Sequence, residues 1–140
     1  MVFYYYGGIA LISQEQPLEA IAWLRQGAQQ LTPANDAEIA SELYAALGDV
    51  LYQQGRHREA FTALDSALVY NPENVNCLNN FAYYLSLSRT QLTKAAAMSA
   101  KAIGIEPDNP TYLDTHAWVL YRQRRYPEAK RYIDKVLDKI

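Results

Sequence analysis

Apolar and small residues return along this chain at intervals of three and four, the spacing of one face of an α-helix. The pattern is clearest between Tyr44 and Pro72, where Leu47 is followed by Leu51, and Ala60 by Leu64 and Ala67. Read in this way, the chain predicts helices over 3–14, 17–31, 37–54, 57–70, 74–87, 91–104, 110–123 and 127–139. No stretch shows the alternation of a strand. The breaks between helices carry their own signals. Gly55 stands just past one helix, where a left-handed residue is cheapest in glycine. Pro17 and Pro127 open second helices, where a missing N–H costs least. Asp36, Asn74 and Asn109 are placed to cap the first helices that follow, and Thr90 to cap the helix starting at 91.

The pattern is also periodic on a longer scale. With Ser41 as position 1, a second copy starts at Val75 and places Leu78, Phe81, Ala82 and Leu85 at positions 4, 7, 8 and 11. Its second half, with Ala95, Ala102 and Pro107, fits after one inserted residue within Ser88-Arg89-Thr90. A further copy starts at Pro110, with Leu113, His116, Ala117, Leu120 and Ala129 in register. Working backwards, Gly8, Leu11, Ala20 and Leu24 outline a degenerate copy beginning near Met1. The chain thus divides into 1–40, 41–74, 75–109 and 110–140. Positions 8, 20 and 27 are held by Gly or Ala in most copies, so that neighbouring helices can approach closely. A helix pair of this kind cannot bury its apolar faces alone, and stacking on its neighbours is obligatory.

The run Tyr44-x2-Leu47-Gly48-x2-Leu51, then Ala60-x3-Leu64, Ala67 and Pro72, resembles the tetratricopeptide repeat, abbreviated TPR. Tyr112 to Tyr121 is similar to the last repeat of many bacterial TPR proteins. The resemblance implies an all-α fold: a single α-solenoid domain over 1–140, a right-handed superhelical stack of antiparallel helix pairs with about eight helices. It also implies that positions 2, 5, 6, 9, 12 and 13 of the first helices line a concave groove that takes a partner. From those positions the expected groove residues are Asp49, Tyr52, Asn76, Asn79, Asn80, Tyr83, Asp114, Trp118, Tyr121 and Arg122. Carboxamides suit a peptide backbone because they both donate and accept. Tyr and Trp supply large contact area at small entropic cost. Some TPR proteins clamp a partner's terminal carboxylate with Lys, Asn, Asn, Lys and Arg. The matching positions here are Ala45, Asp49, Asn80, Thr111 and Thr115, so such a clamp is not expected.

Composition narrows the function further. The net charge of −2 is spread over 13 basic and 15 acidic residues, which is no footprint for nucleic acid. It is unevenly spread, though. Residues 1–74 hold three basic and nine acidic side chains, whereas 101–140 hold eight basic and six acidic. That asymmetry fits solvated helix faces or steering between copies. His57, His116 and Cys77 do not cluster as metal ligands or as a nucleophile with its base. No phosphate loop, nucleophile elbow or acidic metal cluster appears. His116 falls at a core position and Tyr4-Tyr5-Tyr6 and Tyr83-Tyr84 read as packing rather than stacking platforms. The reading is therefore a non-enzymatic protein-binding scaffold without cofactor or metal, for a protein or peptide partner. A self-assembly module and a regulatory part of a larger protein are the alternatives.

The apolar start, Met1 to Ile12, lacks a basic leader segment and is too short to span a membrane. A soluble chain is expected, in cytoplasm or periplasm, and beginning inside a helical pattern suggests a piece of a longer protein. The first helix and the last, with Tyr132, Ile133, Val136, Leu137 and Ile140, carry more apolar surface than one buried face requires. A homodimer through the terminal repeats is the expected consequence.

Overall fold

The computed structural model describes residues 2–32 and 36–139. Eight α-helices account for the regular structure of the described residues: α1 (Val2–Ser13), α2 (Pro17–Gln29), α3 (Ala37–Gln53), α4 (His57–Tyr70), α5 (Val75–Ser88), α6 (Leu92–Ile105), α7 (Pro110–Arg122) and α8 (Tyr126–Leu137). Their limits lie within two residues of those predicted from periodicity. None is long and apolar enough to cross a membrane. The chain forms two compact units, Met1–Asn74 with α1 to α4 and Val75–Ile140 with α5 to α8. The boundary coincides with the start of a repeat.

In the first unit, α1 pairs with α2 and α3 with α4, and α3 also packs on both helices of the first pair. The core joins Ile21 and Leu24 of α2 to Leu43, Ala46, Leu47, Val50 and Leu51 of α3 and Ala60 and Ala63 of α4. Tyr4, Tyr5, Ile9 and Ile12 of α1 pack against it. The second unit repeats the plan, α7 packing on both α5 and α6 as well as on α8.

The pairs close through their smallest residues. Ala20, Ala60, Ala95 and Ala129 at position 20 are all buried, as are Ala82 and Ala117 at position 8. A Cβ on Gly48 would stand 2.6 Å from Leu64 Cγ, and one on Gly8 would stand 2.5 Å from Leu24 Cγ. Both glycines face a leucine sixteen residues on. This places the degenerate first copy in the same register as the second, with Met1 at position 1.

The turns inside the pairs share one backbone device. Glu15, Gly55, Arg89 and Arg124, each at position 15 of its copy, are left-handed, with φ of 57°, 79°, 57° and 63°. Each helix pair is reversed by this single residue, yet only one copy uses glycine there. In the third copy a second left-handed residue, Gln91 at φ 52°, absorbs the inserted residue and occupies the cap of α6. Thr90 is accordingly not the cap: its hydroxyl bonds Ser88 Oγ at 2.9 Å. The insertion moved the helix start one residue past it. Asp36 and Asn109 do cap, accepting from the N–H of Glu38 at 2.8 Å and of Thr111 at 3.0 Å. Asn74 donates to Ser41 Oγ at 2.9 Å, and Ser41 in turn donates to the carbonyl of Ala67 at 2.7 Å. That buried chain of bonds ties the start of α3 to the end of α4.

Two substitutions of opposite sign follow. Gly48→Ala gains about 1 kcal/mol of helix propensity but overpacks Leu64 at a cost of about 1–3 kcal/mol, so it should destabilise. Arg124→Gly relieves a strained left-handed position and should stabilise by about 1 kcal/mol. Urea denaturation midpoints of the two variants check both signs; a stabilised Gly48→Ala would mean that the two helices are not in close contact there.

Candidate functional site

The second unit carries a groove of about 740 Å³ formed by α5, α7 and α8. Ala117 and Ala129 are its small residues, Tyr83, Trp118, Tyr121, Tyr126 and Ile133 its large ones, and Asp114 and Lys130 its charges. Sequence positions bring Tyr83, Asp114, Trp118 and Tyr121 together here, three of them aromatic. The α8 contribution of Tyr126 and Lys130 was not foreseen, and Ile133 was expected only in a contact between copies. Its signal was the surplus of apolar residues on the last helix.

Trp118 is held from two sides. Its indole N–H donates to Ser86 Oγ at 2.9 Å, and the Ser86 hydroxyl donates to the carbonyl of Tyr83 at 2.6 Å. Arg122 lies over the indole ring at 5.4 Å from its centroid. Its guanidinium also donates to the carbonyls of Ser86 at 3.0 Å and Leu87 at 3.4 Å, at the C-terminal end of α5, where the helix dipole favours a cation. Arg122 is therefore a brace for Trp118 rather than an open contact. Tyr121 stacks on Trp118, with centroids 5.7 Å apart and planes 19° apart, and Tyr126 leans on Tyr121 at 5.4 Å. A half-buried, hydrogen-bonded Trp with 52% exposed Tyr residues beside it is a rigid aromatic shelf.

The expected asparagines sit differently. Asn76 accepts from the Tyr112 hydroxyl at 2.7 Å and so joins α5 to α7. Asn80 is half-buried. Asn79 is 7% exposed, and its carboxamide oxygen is buried without a hydrogen-bond partner. It presents no open surface, contrary to the expectation of a groove-lining residue. Position 5 is buried in α3 as well, at Ala45, and is exposed only at Asp114 of α7. α5 has the next first helix packed beside it, whereas among the described residues α7 has none.

In the first unit, Asp49 and Tyr52 are half-buried on α3. Tyr52 stacks on His57, centroids 4.2 Å apart, with Phe61 beyond at 6.1 Å. His57, exposed at the start of α4, lays its ring against Tyr52. A shallower groove of about 520 Å³ lies between α1 and α2, bordered by Gly7, Ala10, Leu11, Glu19, Ala22 and Trp23. The Trp23 indole N–H is buried there without a partner.

His116 is a buried core residue. Its Nδ1 lies 2.6 Å from Ser99 Oγ and its ring meets Tyr132 edge-on at 4.7 Å. Burial, with a lesser push from Arg125, lowers its pKa below the usual imidazole value, against a weaker opposite pull from Glu128. The unfolded chain therefore binds a proton at a pH where the folded one does not. Stability should fall as pH drops below about 6.5, the unfolded value, and level off below the folded pKa. His116→Gln should flatten this part of the profile when denaturation midpoints are measured across mildly acidic pH. An unchanged slope would assign it to other groups.

Residues 41–74 match the tetratricopeptide-repeat family. A TPR repeat-containing protein of Pseudomonas aeruginosa is 34% identical over 68 residues, covering 49% of this chain and 12% of that protein. The chain therefore spans about one eighth of the length of that curated relative. Among solved structures, MamA superposes with a TM-score of 0.82 at 20% identity, covering 97% of this chain and 70% of that one. YrrB, a TPR protein with an unusual peptide-binding site, superposes at 0.80 with 19% identity, covering 96% of this chain and 66% of that one. At such identities the structural likenesses establish the fold.

Proposed function

Because this chain is a TPR protein, we propose that it is a protein-interaction scaffold and that the α5, α7 and α8 groove takes a helix or peptide of the partner. The observation that carries this reading is the braced Trp118 with Tyr121 and Tyr126 beside it. Rigid aromatic anchors over small floor residues are what interface hot spots are built from. Asp114 and Lys130 at the rim supply charges of both signs to orient an occupant. Asp49 and Tyr52 offer the corresponding positions on the first unit, and Asn80 a carboxamide on α5. The peptide-binding site named for YrrB is a property of that protein; peptide binding by this one rests on its own aromatic shelf.

The reading is tested by affinity capture from native extract, followed by titration of the recovered partner against the wild-type chain and two variants. Trp118→Ala should weaken binding by about 1 kcal/mol or more, roughly fivefold, and Tyr121→Ala by a comparable amount. Circular dichroism should show both variants folded. A partner that binds both variants as tightly as the wild type would place the interaction elsewhere and sink the assignment.

A further inference from the structure

We propose that the helix this groove takes is α1 of a second copy of the same chain, giving a head-to-tail contact between unlike faces. The inference rests on the reading of the groove as a helix-binding site and adds the identity of the occupant.

The argument comes from the repeat's own packing rule. In each unit, one first helix docks on the preceding pair: α3 on α1 and α2, and α7 on α5 and α6. Both use positions 3, 6 and 10. In α3 these are Leu43, Ala46 and Val50, at 0%, 9% and 3% exposure; in α7 they are Tyr112, Thr115 and Val119, at 6%, 8% and 0%. α1 is a first helix in the same register, as the matching Gly8–Leu24 and Gly48–Leu64 contacts show. Its positions 3 and 6 are Phe3 and Tyr6, 70% and 61% exposed, and its position 10, Ala10, is exposed as well. α1 therefore presents a docking face with no pair beneath it among the described residues. The α7 and α8 pair is the converse, a receiving groove with no first helix in it among the described residues. Within one copy, α3 sets Leu43 of position 3 against Gly27 at position 27 of α2. By the same rule Phe3 of the second copy faces position 27 of the last pair, Val136, which is only half-buried.

Long-range charge favours the unlike pairing. Residues 1–74 hold nine acidic and three basic side chains; residues 75–140 hold six acidic and ten basic. The groove itself carries Asp114 and Lys130, the latter paired with Asp134 at 2.9 Å, and α1 carries no charge, so the complementarity lies in the two halves as wholes rather than at the contact. Pairing like ends in a symmetric dimer would bring halves of like net charge together, whereas the unlike pairing brings a net acidic half to a net basic one. A contact between different surfaces repeats, and closes into a ring or extends as a filament.

Sedimentation velocity over a rising concentration series tests it. The weight-average mass of the wild-type chain should climb from 15.9 kDa, and added salt should lower it. Phe3→Glu with Tyr6→Glu disables the docking face, and Lys130→Glu with Ile133→Glu disables the groove. All four positions are exposed, and circular dichroism should show both variants folded. Each variant alone should associate about tenfold or more weakly than the wild type. Mixed in equal amounts, the two keep one intact docking face and one intact groove, so they should form a one-to-one pair that grows no further. A wild-type chain that stays monomeric throughout would overturn the inference, as would association abolished by only one of the two double variants. Trp118-dependent capture of another protein by a monomeric chain would leave the scaffold reading standing and overturn this one.

Discussion

Everything in this fold depends on helices approaching closely enough for a glycine or alanine on one to touch the backbone or a leucine of the next. A pair of helices of twelve to seventeen residues is too small to bury its own apolar face. It gains a core only if a third helix seats across it, and that is possible only where side chains at the crossing are minimal. Gly48 against Leu64 and Gly8 against Leu24 are the tightest such crossings. Leu24, Leu64, Ala20 and Ala60 around them have no exposed surface at all. Large residues sit between these crossings, where the core is wide.

The same constraint turns packing into a binding capacity. A helix pair is a receiving surface by construction, and whatever seats on it needs the face that first helices already present. Where α7 lies beside α5, position 5 is buried and the Asn79 carboxamide is enclosed. Where it is not, the small residues Ala117 and Ala129 become the floor of a groove and the aromatics around them its walls. Trp118 then differs from a loose surface aromatic because Ser86 and Arg122 fix its ring before any partner arrives. Such preorganisation lowers the entropic cost of binding.

Much of this was legible in the sequence, because a 3.6-residue period and small residues at fixed positions are direct consequences of helix crossing geometry. The helix limits, the caps at Asp36 and Asn109 and the left-handed turn at Gly55 were read from local chemistry alone. The cap at Thr90 was misread because an inserted residue shifts the start of α6 without changing residue types that cap well. Glu15, Arg89 and Arg124 gave no sign of a left-handed turn, since only the repeat register, not the residue type, marks that position. Asn79 and the α8 wall of the groove depend on which neighbour is present. Positions within one repeat cannot report that: the same register is enclosed in α5 and open in α7.

The two tryptophans allow the central claim, that helix recognition occurs on the aromatic shelf of the last pair, to be tested directly. Nitrogen-15 labelling gives one indole N–H signal each for Trp23 and Trp118, and only Trp118 is hydrogen-bonded within the groove. The measurement is the position of the Trp118 indole signal as a binding partner, whether a foreign helix or a second copy, is titrated in. The account predicts that it moves in proportion to the fraction bound. A Trp118 signal that stays in place while binding runs to saturation would contradict it.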